Sequence, residues 1–281
     1  MSQDLLHDVP ISPAEMLEIA SNTGVKKANS SSLRLLLLSI LAGAYIAFGA
    51  LFASILGTGT SGVWPYGVVK LLQGLVFSLG LILVVVGGAE LFTGNNLMII
   101  AWLDKKIKLF QLFRNWMIVY VGNFVGSILI AFAVVFSREY LSANGSFGAT
   151  TISTAITKVN YDFGQALILG ILCNILVCLA VWLTYSANST TDKILSIIFP
   201  ITFFVAAGFE HSVANMYSIP VALLIKWVDP SFMASLNLDI SQLTWGRFLF
   251  NNLLPVTIGN ILGGSLFVGL TYFLIYRRSE K

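Results

Sequence analysis

Six long apolar runs, each bounded by charged residues, restrict this chain to folds that cross a lipid bilayer. A helix needs about 20 apolar residues to cross the roughly 30 Å hydrocarbon layer. Charged residues are also rare, at 10% of the 281 residues, against about 25% in soluble domains. We therefore predict an all-α integral membrane protein with six spans. The first span is expected at about 33–56, and the others lie between Lys70 and Asp104, Arg114 and Arg138, Asp162 and Asp192, Lys193 and Lys226, and Arg247 and Arg277.

The distribution of lysine and arginine predicts how the spans are oriented. Eleven of the 16 basic residues fall in the two termini and in the loops after spans 2 and 4, and five fall in the opposite loops. Basic residues are enriched on the cytoplasmic side of membrane proteins. We therefore expect both termini in the cytoplasm, with a cytoplasmic segment at 1–32, a transmembrane channel domain at 33–276 and a cytoplasmic tail at 277–281.

The polar N-terminal segment carries the pattern of a short helix before the first span. In SPAEMLEIASNTG, Ser12 and Glu15 are spaced as a capping box, and Pro13 fits the first helical position. Glycine commonly ends a helix, and Gly24 follows at a suitable distance. The pattern predicts a helix at about 13–23, which serves either as a surface cap on the bundle or as a movable gate over a pore entrance.

Spans 2 and 5 are too long, and too polar near their centres, to be straight helices. Span 5 covers 32 residues, 194–225, and a straight helix of that length measures about 48 Å. Span 2 covers 33 residues, 71–103. Each contains one glycine-flanked carboxylate, Glu90 in GGAELFTGNN and Glu210 in AAGFEHSVANM. This pattern is typical of membrane helices that are interrupted where they line a cavity.

Matching residues in the two halves of the chain predict an internal repeat. At an offset of 137 residues, NWMIVYVGNFVG in span 3 matches NLLPVTIGNILG in span 6. We infer two repeats of three spans, at about 33–137 and 161–276. An odd number of spans makes the repeats antiparallel, and in such folds the interrupted helices meet at a central pathway. A shorter match supports the same repeat: at an offset of 120 residues, the helix-break residues Gly88, Glu90 and Asn95 correspond to Gly208, Glu210 and Asn215.

Polar groups inside the interrupted spans are the first candidates for function. His211 is one of two histidines in the chain, and an ionisable residue within a span is a functional candidate by default. Thr93 lies in the other interruption, where it can hydrogen-bond His211 and fix its tautomer. We expect Glu90 and Glu210 to accept hydrogen bonds from backbone N–H groups that the helix breaks expose.

The sequence lacks the motifs that indicate a metal site, a nucleotide-binding site or a catalytic triad. Cys173 and Cys178 lie in one apolar run without other ligands, so we predict neither a disulfide nor a metal site. The glycines of GTGTSG lack the ending of a phosphate-binding loop, and Ser212 beside His211 has no oriented third group. We therefore expect no cofactor and no enzymatic activity. A net charge of +3 without a basic face interleaved with aromatics excludes nucleic acid as a partner.

The segments AELFTGNN, GFEHSVANM and PVTIGNILGG, with six spans in this order, resemble the formate/nitrite transporter family. The surrounding sequence is most similar to the formate channels of that family, and the resemblance extends from GVKKA to VGLTYFLIY. It implies an aquaporin-like inverted-repeat fold, assembled as a homopentamer in the lipid bilayer of the bacterial cytoplasmic (inner) membrane. Each protomer is then expected to hold its own pore.

The resemblance also assigns polar residues along that pore. It implies that Asn174 and Asn260 face the route as neutral dipoles, with interhelical hydrogen bonding as the alternative. Lys158, in the loop ANGSFGATTISTAITKVNYDFGQA, corresponds to the family's vestibule lysine. The cytoplasmic lysine corresponds to Lys26 or Lys27 of GVKKA, of which we favour Lys27.

Phe77, Leu81 and Phe204 precede the breaks at helix-turn spacing and resemble the family's hydrophobic constrictions. Formate, the substrate implied by the resemblance, is an anion in all but about one molecule in a thousand at pH 7, and an apolar constriction does not readily pass an anion. We therefore expect a pH-dependent, passive or proton-coupled channel for formate and related small monovalent anions, in which a protonated His211 attracts the anion and donates its proton. A nitrite or hydrosulfide channel is the alternative. A water or glycerol channel is disfavoured because paired Asn-Pro-Ala motifs are absent.

Overall fold

The computed structural model describes residues 11–278, and this part of the chain is all-α. The first ten residues of the predicted N-terminal segment, including His7, and residues 279–281 of the predicted tail lie outside the described residues. A 3₁₀ turn, Asn96–Met98, joins α4 to α5. In chain order the helices are α1 (Pro13–Ala28), α2 (Ser32–Gly57), α3 (Tyr66–Gly87), α4 (Phe92–Asn95), α5 (Ile99–Leu103), α6 (Leu109–Phe136), α7 (Ser146–Val159), α8 (Phe163–Thr184), α9 (Thr190–Ala206), α10 (Ser212–Val228), α11 (Pro230–Ser235) and α12 (Trp245–Arg277).

Five helices in the described range, α2, α3, α6, α8 and α12, are long and apolar enough to cross a membrane. They form one bundle, in which α2 packs against α3 and α6, α3 packs against α9, and α8 packs against α9 and α12. Large apolar side chains such as Phe110, Phe199 and Phe250 are exposed on its surface. Lipid tails are a favourable surrounding for such a surface. The chain is therefore a multi-pass helical membrane protein.

Glycines allow two pairs of helices in this bundle to approach closely. Gly126 of α6 faces the backbone of Ile40 in α2, and Gly263 of α12 faces the backbone of Ile171 in α8. A Cβ atom at either glycine would collide with the carbonyl oxygen of the facing residue. Close backbone contact is a main source of helix association in lipid, where the hydrophobic effect does not hold helices together. Gly126 and Gly263 are also a matched pair in the predicted repeats.

Spans 2 and 5 are interrupted where their glycine-flanked carboxylates lie. The helix α3 ends at Gly87 and α4 begins at Phe92, while α9 ends at Ala206 and α10 begins at Ser212. In each break a glycine adopts a positive φ, 78° at Gly88 and 73° at Gly208. Side chains with a Cβ atom disfavour that conformation. The backbone groups of the breaks need hydrogen-bond partners outside the regular helix ladder.

The helix α12 contains two π-helical stretches that the apolar pattern of span 6 did not indicate. They are Phe248–Leu253 and Leu262–Leu270, and an α-helical stretch, Leu254–Ile261, separates them. A π-helical turn contains more residues than an α-helical turn, so it changes the direction of the side chains that follow. The first stretch contains Asn252, and the second begins two residues after Asn260. Both asparagines contact the second helix break.

Two expectations about the polar segments are wrong. The helix α1 continues to Ala28 rather than ending at about residue 23, because Gly24 lies inside it and packs against Ala101 of α5. The segment between spans 3 and 4 is not only a loop, since residues 146–159 form α7. Phe147 and Ile152 of α7 are buried, and the helix packs against α10.

A cluster of charged side chains fastens α1 to the ends of α5 and α12. Asp104 accepts a hydrogen bond from Ser21 at 2.8 Å and pairs with Lys106 at 3.1 Å and with Arg277 at 2.6 Å, while Lys106 also pairs with Glu18 at 2.6 Å. The hydrogen bond from Lys106 lowers the pKa of Glu18 below its ordinary value. Burial acts to raise the pKa of Asp104, but the hydrogen bonds from Ser21, Lys106 and Arg277 outweigh it and lower that pKa.

Candidate substrate pathway

Two cavities enter the bundle at opposite ends of α3. The first, of about 290 Å³, is lined by the beginning of α3 together with α7, α9 and α10, and we call it the α7-face cavity. The second, of about 220 Å³, is lined by the end of α3 together with α1 and α8, and we call it the α1-face cavity. The charged residues are Lys70, Lys158 and Glu210 in the α7-face cavity and Lys27 and Glu90 in the α1-face cavity.

Buried side chains separate the two cavities. Phe77, Phe204 and His211 line the α7-face cavity, and Leu81 and Leu91 line the α1-face cavity. Each of the five is at most 5% exposed. The rings of Phe77 and Phe204 meet edge to face at 5.4 Å, and Phe204 stacks on the imidazole of His211 at 5.9 Å. An ion that leaves water for such an apolar contact loses its hydration at a large energetic cost.

His211 occupies the N-cap position of α10, where two hydrogen bonds orient its ring. The backbone N–H of Ala214 donates to Nδ1 over 3.1 Å, and Nε2 lies 3.0 Å from Oγ1 of Thr93. Because Nδ1 accepts, the proton of a neutral ring is on Nε2, which donates to Thr93. An imidazolium would also carry a proton on Nδ1 and would lose the hydrogen bond from Ala214. The resting geometry therefore favours a neutral ring, which corrects our expectation of a protonated His211.

Asn123 of α6 holds the first helix break. Its Oδ1 accepts from the backbone N–H of Phe92 at 2.9 Å, and its Nδ2 donates to the carbonyl oxygens of Ser39 at 2.7 Å and Glu90 at 2.9 Å. The backbone N–H of Glu90 donates to the carbonyl oxygen of Leu38 at 3.2 Å. Backbone groups that the break removes from the helix ladder thus find partners on α2 and α6.

Asn260 of α12 holds the second break through equivalent contacts. Its Oδ1 accepts from the backbone N–H of Ser212 at 2.9 Å, and its Nδ2 donates to the carbonyl oxygens of Gly170 at 2.8 Å and Glu210 at 3.0 Å. The backbone N–H of Glu210 donates to the carbonyl oxygen of Leu169 at 3.2 Å. Asn260 is fully buried among these groups. The alternative of interhelical hydrogen bonding therefore describes its contacts, and the expected role as a dipole facing the route does not.

The carboxylate of Glu90 lies at the base of the α1-face cavity and bonds to side chains. It accepts from Nζ of Lys27 and from Nδ2 of Asn95, both at 2.8 Å. The same Asn95 accepts from Lys27 at 2.8 Å and donates to Asn115 at 2.9 Å. Lys27, rather than Lys26, is thus the lysine that reaches this cavity. The carboxylate of Glu90 thus binds side chains rather than the expected backbone N–H groups, and the N–H of Phe92 is bound by Asn123 instead.

Glu210 makes the matching contacts at the α7-face cavity. Its carboxylate pairs with Nζ of Lys158 at 2.5 Å and accepts from Asn215 at 2.6 Å and Asn252 at 3.1 Å. Asn252 also accepts from Asn215 at 2.7 Å and donates to the carbonyl oxygen of Lys158 at 3.0 Å. Glu210 thus binds side chains rather than the expected backbone N–H groups. The carboxylate network at each helix break therefore contains one lysine, one glutamate and two asparagines, in addition to the asparagine that bonds the backbone, Asn123 or Asn260.

Asn174 lies behind the break residues and lines neither cavity. Its Nδ2 donates to the side chain of Asn96 at 2.8 Å and to the carbonyl oxygens of Asn260 at 2.6 Å and Thr93 at 3.3 Å. These contacts join α8 to α12 and to the segment around α4, so the interhelical alternative describes Asn174 as well. Cys178 donates to the same carbonyl oxygen of Thr93 at 3.3 Å.

Sequence reasoning missed several residues of this site. Asn115, Asn123 and Asn252 belonged to matched repeat pairs, but we assigned them no role at the breaks. That pairing was the available signal, since a buried asparagine repeated beside a helix break is suited to bond its free backbone groups. Leu91 was also missed, although it occupies the position that corresponds to His211 at the offset of 120. Lys70 was treated only as a charged boundary of span 2.

The fold and the site define a class of protein, a multi-pass helical membrane protein with two cavities that approach a buried centre, as in channels and transporters. The sequence model of the family described as Formate/nitrite transporter matches residues 14–274. The chain therefore belongs to the formate/nitrite transporter family.

Individual relatives agree with this assignment. The chain is 45% identical to the formate channel FocA of Escherichia coli (strain K12) over 95% of both chains. It is 39% identical to a probable formate transporter of Methanothermobacter thermautotrophicus, over 94% of this chain and 97% of that protein. A solved structure described as a pentameric formate channel with formate bound matches with a TM-score of 0.79 and 44% identity, covering 88% of this chain and 98% of that chain.

Proposed function

We propose that this protein is a channel for formate and related small monovalent anions, and that it is not an enzyme. The observation that carries the proposal is the arrangement of two lysine-containing cavities on either side of a buried histidine and its apolar neighbours. Formate is supported as the substrate by the relatives that are named formate channels and by the solved structure described as having formate bound. The route would run past Lys158, His211 and Thr93 toward Lys27.

We also propose the full architecture of six spans in two inverted repeats, at about 33–137 and 161–276, with the aquaporin-like arrangement. The equivalent contacts of Asn123 and Asn260 support it, as do the ion pairs of Glu90 and Glu210. The description of a relative as pentameric supports a homopentamer. The excess of basic residues on its side supports a cytoplasmic location of the α1 face. The bacterial sources of the relatives named formate channels support a bacterial inner-membrane location. The segment boundaries at 1–32, 33–276 and 277–281 belong to this proposal.

In the proposed mechanism the lysines receive the anion and the constriction admits only its neutral form. Formate arrives almost entirely as an anion, because its acidity is close to the value of about 4 of an aspartate side chain. A lysine in a cavity raises the local concentration of anions. The apolar contacts of Phe77, Phe204 and Leu81 then oppose passage of the charge. Transport therefore requires that the anion gain a proton beside His211.

The neutral ring of His211 can meet this requirement in two steps. The anion accepts the Nε2–H that otherwise bonds to Thr93, and its charge stabilises a proton that arrives from the cavity at Nδ1. The transient imidazolium then gives its Nε2 proton to formate and keeps the proton on Nδ1. Loss of the Nδ1 proton to cavity water and uptake of a proton from water at Nε2 restore the resting tautomer and the hydrogen bond from Ala214, so the net change is one proton gained by formate. In water this proton transfer is uphill by about 2.5 pKa units, or about 3.5 kcal/mol. Apolar surroundings favour the two neutral products over the two ions.

The proposal is tested by flux measurements on the purified protein in proteoliposomes. Formate uptake should exceed that of protein-free vesicles and should rise as the external pH falls, since one proton enters with each anion. Thr93→Val keeps the shape of the side chain but removes the hydroxyl partner of His211, and it should reduce the flux. Thr93→Ser keeps the hydroxyl and is the matched control. Absence of formate flux in the wild-type protein would refute the proposed function.

Nitrite is the second candidate substrate, because the family to which the chain belongs is described by both formate and nitrite. Hydrosulfide is kept as the other alternative anion, because it has the same charge and a similar size. Both are small monovalent anions of weak acids, so the same lysines and histidine can serve them. Uptake of formate measured in the presence of increasing nitrite or hydrosulfide ranks the three anions. A half-saturation concentration lower for nitrite or hydrosulfide than for formate would reassign the substrate. Uptake of glycerol without formate uptake would support a neutral-solute channel instead.

A further inference from the structure

The two cavities differ in charge, although the helix breaks that form them are equivalent. The α1-face cavity contains one lysine and one glutamate, and these two side chains form an ion pair at 2.8 Å. The α7-face cavity contains a second lysine, Lys70, in addition to the paired Lys158 and Glu210. The α7-face cavity therefore has one positive charge that no carboxylate in its lining compensates.

Lys70 lies near the beginning of α3, with its side chain half-buried at the cavity wall. It takes part in none of the ion pairs formed within residues 11–278, and its ammonium lies 5.7 Å from the centre of the Tyr66 ring. Such a cation–π contact holds an ammonium in place without neutralising it. Lys70 and Lys158 both line the α7-face cavity.

The other polar groups of this cavity determine what can bind beside Lys70. Thr150, Thr154 and Thr157 donate their hydroxyl protons to carbonyl oxygens of α7, so they offer acceptors rather than donors to a solute. The hydroxyl of Tyr161 makes no hydrogen bond within residues 11–278 and is free to donate. The ammonium of Lys158 retains protons beyond the one that it gives to Glu210. The available donors are therefore two ammonium groups, one phenol, the hydroxyl of Ser54 and the second amide proton of Gln73.

We propose that Lys70, Tyr161 and Lys158 form an outer binding site for small monovalent carboxylates in the α7-face cavity, in which Lys70 supplies the uncompensated charge. The ligand class follows from the proposed function and from the donor set, since a carboxylate accepts several N–H and O–H bonds at once. The α1-face cavity lacks an unpaired cation in its lining. The site thus concentrates the anion on one face, before it reaches His211.

The test compares formate uptake by proteoliposomes that contain Lys70→Gln, Lys70→Arg, Tyr161→Phe or Arg138→Gln. Arg138→Gln is the matched control, because it removes the same charge near the same end of the bundle from a residue that does not line the α7-face cavity. Lys70→Gln should raise the half-saturation concentration for formate about fivefold at low ionic strength, with the maximum rate unchanged. Added salt should reduce this difference, because salt screens exposed charges. Lys70→Arg should restore the wild-type value, and Tyr161→Phe should give a smaller rise.

The outcomes separate this site from the proposed function. If the wild-type protein transports formate and Lys70→Gln has the half-saturation concentration and salt dependence of Arg138→Gln, the outer site is refuted and the channel function stands. A reduced maximum rate with an unchanged half-saturation concentration would also overturn a binding role for Lys70. Lack of formate transport by the wild-type protein would overturn the proposed function and this site together.

Discussion

Replacing Asn260 by leucine measures how much one side chain contributes to the second helix break. Leucine has the branched shape of asparagine but forms no hydrogen bonds. Two buried backbone groups at the break therefore lose their partner, the N–H of Ser212 and the carbonyl oxygen of Glu210, while the carbonyl oxygen of Gly170 keeps its partner within α8. An unpaired buried group costs about 1–3 kcal/mol, and the lower end applies here because single hydrogen bonds between membrane helices average about 0.6 kcal/mol. Two groups at about 1 kcal/mol each predict a loss of about 2 kcal/mol.

The free energy of unfolding is measured by titration with sodium dodecyl sulfate in mixed micelles, followed by tryptophan fluorescence. Asn251→Leu is the matched control, since Asn251 is half-buried on the same helix and makes no hydrogen bond within residues 11–278. Asn123→Leu should lose as much stability as Asn260→Leu, because Asn123 makes three equivalent bonds at the first break. A loss for Asn260→Leu no larger than that for Asn251→Leu would refute this account of the breaks.

Two further predictions concern the charged groups. Lys158→Met leaves the buried carboxylate of Glu210 without its cation, so it should destabilise the protein by about 3–5 kcal/mol. The double variant Lys158→Met/Glu210→Gln should be more stable than Lys158→Met alone, because it no longer buries an unpaired charge. Equal stabilities of these two variants in the same unfolding assay would contradict the pairing. The pKa values of Asp104 and Glu18 are lower in the folded protein than their ordinary values of about 4. Their contribution to the docking of α1 is therefore complete above about pH 4 and is lost as the pH falls through the lowered pKa values. The protection factors of the α1 amides, which are corrected for the intrinsic exchange rate at each pH, should therefore fall at acidic pH. Asp104→Asn should lower them already at neutral pH, and protection factors that do not change with pH would contradict the role of this cluster.

The sequence was most informative where lipid leaves the chain few choices. An apolar run of 20 residues must form a helix because its backbone groups have no other partners in the membrane. A central carboxylate flanked by glycine marks the point where that helix stops, and the breaks lie at Gly88 and Gly208. The matched asparagines at the offset of 137 contained the remaining information about the breaks, but their role was not recognised.

Other features depend on contacts between segments that are distant in the chain. Gly24 has the local properties of a helix end, and only the packing against Ala101 keeps it inside α1. The carboxylates of Glu90 and Glu210 could have bound backbone or side chains. Asn123 and Asn260 each occupy one N–H group of a break, and the two carboxylates bind side chains. The neutral tautomer of His211 likewise follows from one backbone N–H, that of Ala214.

The central claim is that His211 gives the permeating anion its proton, and one flux measurement tests it most directly. Formate uptake is recorded in proteoliposomes from pH 5 to pH 8 for the wild-type protein, His211→Phe and His211→Asn, after subtraction of protein-free vesicles. Asparagine can still accept the N-cap hydrogen bond from Ala214 but cannot exchange a proton, so His211→Asn separates the structural role from the chemical one. The account predicts that uptake by the wild-type protein rises as the pH falls and that neither variant shows this rise. An unchanged rate and pH profile in His211→Asn would contradict it.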